Sequence, residues 1–267
     1  MQVQIGCEFV HNLLAPAHAI AQVEPRLDGG FGFLVEAWGL SPDGPSSRYV
    51  DRHGNLCRRF TLPAGRSTLR YDARVEVSGD VDEEHLGAVE IPPAQLPGDV
   101  LSFMMPSRFC PSDQLANAAC ELFAGVDPGW SRVQAICDWV HTELSFGYGT
   151  TGPTSTAADV FASRRGVCRD YAHLAVTFCR ALNIPARYAF GYMPEVGIEP
   201  TNEPMDFCAW MEVYLSDRWW TFDPRNNEPR SARVLVGRGR DAVDVAMLTS
   251  FGQAPLESLT VWADEVT

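Results

Sequence analysis

From residue 168 the apolar positions fall at helical spacing. Tyr171, Leu174, Ala175, Phe178 and Leu182 recur every three or four residues, predicting an amphipathic helix that opens at Cys168. Gly166 breaks the chain before it, and Asn183 and Pro185 close it. The same period predicts a helix over residues 130–144, with Val133, Ile136, Cys137, Val140 and Leu144 on one face. A shorter helix is expected over 156–163. Another runs to Phe123 from Pro111-Ser112-Asp113, a capped start. Elsewhere the period is two. Val3, Ile5, Cys7 and Phe9 alternate, as do Leu69, Tyr71, Ala73, Val75 and Val77, and both runs read as strands. Residues 48–50 and 56–60 form a hairpin across Asp51-Arg52-His53-Gly54-Asn55. Residues 186–193 form a strand. A second hairpin pairs 208–215 with 218–222 across Ser216-Asp217, and Pro224 stops it.

Strands gather early and helices later, with further strands after the 168 helix, so the fold class is α+β. Residues 1–105 are expected to form an antiparallel β-sandwich, ending in a proline-rich linker at 91–99. Residues 106–267 form a core in which the 168 helix packs on an antiparallel sheet. No catalytic constellation stands out in the first part, so packing or partner binding is its expected role.

The chemistry concentrates in the second part. A thiol at the first turn of a helix meets unpaired N–H groups and the positive end of the macrodipole, which favour thiolate. Cys168 is therefore a candidate nucleophile. Its partners should come from downstream strands. Asp223, at a strand end before proline, is placed to orient a base, and Cys208 opens the first strand of the hairpin. Trp210, Tyr192 and Asp206 are the candidates for the substrate cleft. The loop 194–204, carrying Glu195, Glu199 and Glu203, is expected to rim it.

The run GVCRDYAHLAVTFCRALNIPARYAFGY, with the later DFCAWMEVYL and RWWTFDP, resembles the bacterial transglutaminase-like family. That resemblance implies the papain-like cysteine-hydrolase core, a Cys-His-Asp triad, and often a β-sandwich at the N-terminus. Carried over, Cys168 is the nucleophile and Asp223 the triad acid. Where the family has His-Ala-Trp, this chain has Cys208-Ala209-Trp210, and no histidine follows His173. His173 sits about 140° around the helix from Cys168, so it faces elsewhere. His141 belongs to an earlier helix. The segment Gly237-Arg238-Gly239-Arg240-Asp241, with Asp244, is read as structural, an Arg–carboxylate clamp.

Composition narrows the partners. With 34 acidic against 21 basic residues, the net charge of −13 disfavours nucleic acid and anionic membranes. No long apolar run or secretory signal pattern stands out, which points to the cytoplasm. The eight cysteines are scattered without a CxxC pair, as expected of reduced thiols rather than a disulfide framework or metal site. Cys120, Cys137 and Cys179 are assigned to apolar helix faces, and no metal or cofactor is expected. Three function classes remain: a cysteine hydrolase or acyltransferase acting on a peptide or protein substrate, a non-catalytic peptide-binding protein that keeps the cleft, and a thiol-redox site of Cys168 and Cys208.

Overall fold

The computed structural model describes residues 1–198 and 204–266. Glu199 and Glu203 of the expected rim loop lie outside the described residues. The first part is built from β1 (Gln2–Leu13), β2 (Ala17–Ala21), β3 (Gly32–Ser41), β4 (Ser46–Val50), β5 (Leu56–Leu62) and β6 (Gly65–Glu76). In β1 the residues Val3, Ile5, Cys7 and Phe9 are buried, and in β6 so are Leu69, Tyr71, Ala73 and Val75. This is the two-residue alternation of strands with one face on a core. β1 runs to Leu13, past the expected Phe9, because His11 and Leu13 continue its buried face.

The helices are α1 (Ala116–Phe123), α2 (Trp130–Glu143), α3 (Ala157–Ser163) and α4 (Cys168–Ala181). Two short strands, β7 (Ser145–Phe146) and β8 (Arg165–Gly166), pair in parallel just before α4. α1 starts later than its sequence suggested. Residues 112–115 form turns, no side chain caps the helix, and Cys110 and Ser112 are drawn into the interior. Cys137 and Cys179 are buried as expected, whereas Cys120 faces solvent.

α4 is the centre of the second part. Every residue from Asp170 to Arg180 is buried, so the helix is covered all round rather than on one stripe. It packs on a four-stranded antiparallel sheet of order β11-β10-β9-β12, made of β9 (Ala186–Tyr192), β10 (Cys208–Leu215), β11 (Arg218–Phe222) and β12 (Val234–Gly239).

The last two strands, β13 (Leu248–Phe251) and β14 (Leu256–Val266), turn back to the sandwich. β14 pairs with β1 and β13 with β2, giving the orders β14-β1-β6-β3 and β13-β2-β5-β4. The chain's two ends are thus woven into the same sheets. One apolar cluster joins sandwich residues such as Ile5, Ala19 and Tyr71 to Tyr188, Phe190, Tyr192 and Phe207 of the second part. The fold is α+β, as expected.

Candidate active site

The local sequence builds the start of α4. Val167 is its N-cap, and its N–H donates to the Asp170 Oδ2 at 2.9 Å. The Thr151 hydroxyl and the Arg169 guanidinium also bond this buried carboxylate. Gly166 is required here, since a Cβ at that position would lie 2.6 Å from the Asp170 Cβ. Asp170 therefore fixes the turn that presents Cys168, and its charge also suits the positive helix end.

Cys168 is half-buried on the wall of a cavity of about 790 Å³. Cys208, Asp206, Phe207 and Ala209 line the same cavity. The Cys168 Sγ lies 3.7 Å from the Phe207 carbonyl, a contact that suits the protonated thiol. Stronger influences act the other way. The Cys208 thiol hydrogen-bonds Cys168 and lowers its pKa, with help from the N–H groups of Ala209 and Arg169. Burial and the negative charge of Asp206 oppose ionisation but do not prevail. The Cys208 thiol is pushed well up by that same hydrogen bond, by burial and by the charge on Cys168. The two thiols thus titrate as a pair, with Cys168 shifted towards ionisation and Cys208 away from it.

The other sequence candidates lie as follows. Asp223 is buried at the end of β11, but no base hangs from it. It accepts from the N–H groups of Arg225 and Asn226, from the Asn226 amide at 2.8 Å, and from Arg233 Nη2 at 2.9 Å. Arg233 in turn binds Asp82 and lies over the Trp210 ring, and its positive charge acts on Cys208. This cation was not singled out in the sequence. The signal available was only an arginine ten residues after the acid, which has no motif.

Trp210 does not line the cleft. It is 2% exposed and packs with Ala189 and Leu235, because its strand is covered on both faces. Tyr192 is not in the cleft either. It is fully buried, and its hydroxyl donates to the Val23 carbonyl at 2.8 Å, pinning β9 to the sandwich. Asp206 does line the cleft, exposed at its rim.

Neither His173 nor His141 fills the vacant role, and His11 reaches the cavity from the sandwich wall. The His173 Nε2 accepts from the Ala242 N–H at 3.1 Å, and burial with the nearby Arg169 charge pushes its pKa down to about 3. The His141 Nδ1 is bonded to the Arg225 carbonyl, and this ring lies outside the cleft lining. The expected clamp after the hairpin is present. Arg240 binds Asp244 through two contacts of 2.8 and 3.0 Å, and Arg238 binds Glu212. Asp241 accepts from the N–H groups of Phe109 and Val243, which holds residues 242–247 as one wall of the cavity.

The transglutaminase-like superfamily profile matches residues 116–224, the stretch that runs from α1 through Asp223. A crystal structure of a candidate cysteine protease from Cytophaga hutchinsonii superposes with a TM-score of 0.89 at 30% identity, covering 98% of this chain and 90% of that one. The chain belongs to the transglutaminase-like superfamily. An uncharacterised Mycobacterium leprae protein is 29% identical over 235 residues, 85% of this chain and 84% of its own length. An uncharacterised Mycobacterium bovis protein is 26% identical over 231 residues, 76% of this chain and 72% of its own. Among the described residues no helix is long and apolar enough to cross a membrane, and no cluster of three potential metal ligands occurs.

The shared ionisation is directly measurable. Alkylation of Cys168 by iodoacetamide is expected to reach half its limiting rate below the ordinary thiol value of 9.0. Cys110, Cys137 and Cys179, whose pKa values burial raises, should stay unreacted over the same range. A depressed acid is ionised from its lowered pKa upward, so the gain in rate appears on the acid side of 9.0. Cys208→Ala removes the main donor and should move the midpoint up. An unchanged midpoint in that variant would show that the helix start alone sets the pKa.

Proposed function

We propose that the protein is a cysteine acyl-transfer enzyme in which Cys168 is the nucleophile and Cys208 carries the proton. The observation that carries this reading is geometric: a thiol at the start of a helix and a second thiol, Cys208, line one open cleft. Superfamily membership and the similarity to a candidate cysteine protease support it.

The proton inventory closes. The Cys168 thiolate attacks the acyl carbon, and the positive end of α4, with the N–H groups of Cys168 and Arg169, stabilises the developing oxyanion. The leaving group departs with the proton of the Cys208 thiol, giving a thioester at Cys168 and a thiolate at Cys208. Water, or an acceptor amine or alcohol, then yields a proton to Cys208 and attacks the thioester. Cys168 leaves as thiolate, and the starting state is restored. The cycle carries one more negative charge than a Cys–His pair.

That charge type selects the substrate. Cys208 is a weak acid, so leaving groups that need little protonation are favoured. Esters and thioesters therefore suit the site better than peptide or amide bonds. Asp223 and Arg233 act from behind Cys208, holding a positive charge near it. The substrate is a protein, peptide or small molecule with an activated acyl group, and a reducing compartment such as the cytoplasm suits the two free thiols.

Mixing the protein with excess p-nitrophenyl ester should release a burst of p-nitrophenol equal to the enzyme concentration. Mass spectrometry should then find the acyl group on Cys168, while a matched p-nitroanilide reacts far more slowly. An absence of acylation would turn the reading towards a cleft that binds a peptide without chemistry.

The presence of two free thiols, Cys168 and Cys208, on one cavity wall favours a second reading, thiol–disulfide exchange. Here the Cys168 thiolate attacks a substrate disulfide and expels one substrate thiolate. Cys208 then displaces the other from the mixed disulfide, reducing the substrate and closing a Cys168–Cys208 bond. A cross-linked Cys168–Cys208 peptide that appears with a disulfide substrate and vanishes on dithiothreitol treatment would support it. Its absence would remove this reading.

A further inference from the structure

We infer that the cavity beside Cys168 is a subsite for a hydrophobic acyl group and that the β-sandwich supplies its selectivity; this inference rests on the acyl-transfer reading above. Three observations carry it.

The cavity is continuous with the nucleophile. The same 790 Å³ space is bounded by Cys168 and Cys208 on the catalytic side and by Phe9, Leu248, Leu256 and Leu259 of the sandwich on the other. Its volume suits a small-molecule or side-chain ligand.

The apolar cluster is also shared. Cys168, Leu248 and Leu259 are partly buried side chains packed against one cluster, which contains Phe9, Phe190 and Phe207. A ligand bonded to the Cys168 sulfur therefore meets hydrocarbon and aromatic rings as its next neighbours.

Finally, the sandwich wall of this space is mainly apolar, with His11, Thr249 and Ser250 as its polar members. His11 is the one ionisable side chain it contributes. The ring Nδ1 of His11 is turned to the Ala254 and Pro255 carbonyls, and its Nε2 is shielded from water without a partner. Charged groups stand beside the nucleophile instead, where Arg169 and Asp206 line the wall. Along the Phe9, Leu248, Leu256 and Leu259 wall a polar acyl group would lose hydration for few replacement bonds, whereas an apolar one gains from leaving water.

Selectivity then comes from strands that are remote in sequence from the nucleophile. β13 and β14 reach the site only because the chain's end returns to pair with β2 and β1.

The test uses the full chain and p-nitrophenyl acetate, octanoate and N-acetyl-phenylalaninate, with rates corrected for each ester's reaction with free cysteine. Acylation of Cys168 should be about tenfold or more faster for the larger esters than for acetate. A higher rate for octanoate identifies a fatty acyl chain as the source of the apolar group, and a higher rate for the phenylalanine ester an amino-acid side chain. In Leu248→Asp and Leu259→Trp the ratio of large to small ester rates should fall towards one. A second readout needs no acyl transfer: sodium octanoate should protect Cys168 from iodoacetamide in the unaltered chain. Equal acylation by all esters overturns the subsite and leaves the nucleophile intact. A preference unchanged in both variants overturns the role of the sandwich. Protection by octanoate without acylation by any ester keeps the subsite and overturns the acyl-transfer reading alone. Neither protection nor acylation overturns both.

Discussion

Cys168→Ser is expected to lose acyl transfer by about 10³-fold or more, although the substitution changes one atom. A serine hydroxyl is a nucleophile only when an adjacent base takes its proton. In this cleft the neighbouring group is Cys208, whose raised pKa keeps it protonated before acylation, so it cannot take the serine proton. The N–H groups of Ala209 and Arg169 that help Cys168 ionise cannot bring an alcohol to the same state near neutral pH. Burst kinetics with p-nitrophenyl esters, on a variant whose circular dichroism and melting match the parent, check this. Retention of more than a tenth of the rate would mean that an unrecognised base serves the site.

Cys208→His is expected to change the chemistry in the opposite direction, raising amide turnover by about 10²-fold or more. An imidazole can take the proton from Cys168 and return it to a leaving amine, which a high-pKa thiol does poorly. Asp223 already waits at the end of β11, but Arg233 occupies it at 2.9 Å. The full gain therefore depends on the carboxylate turning part of its hydrogen bonding to the new ring. The readout is kcat/KM for a p-nitroanilide against pH. The parent should show one limb, set by the shared thiol ionisation, and the variant a bell with a second group titrating in the histidine range. A folded variant with no gain in amide turnover would assign the cleft to a task in which amide cleavage plays no part.

The two expectations rest on different kinds of information. That Cys168 opens a helix was legible because the pattern is local: Gly166 breaks the chain, Asp170 caps it, and apolar residues recur at helical spacing. The hairpin of β10 and β11 was legible for the same reason, as was the cysteine in the histidine position. Local legibility failed where burial on both faces erased the alternation. Trp210 and Tyr192, expected in the cleft, are core residues held by Arg233 and by the Val23 carbonyl. Cys120 was misread because a helix eight residues long offers few positions from which to judge its buried face.

Sequence by itself determined the family, the α+β class, the candidate nucleophile at a helix start and the second thiol of its cleft, since each depends on residues within a few turns or on one hairpin. Tertiary structure alone decided who surrounds them. It gave Asp223 to Arg233, turned His173 to the Ala242 N–H, and brought β13 and β14 back to wall the cavity. Periodicity reports which face of an element is buried. It carries no term for which distant cation neutralises a buried acid, or for which sheet edge a strand from the far end of the chain will complete.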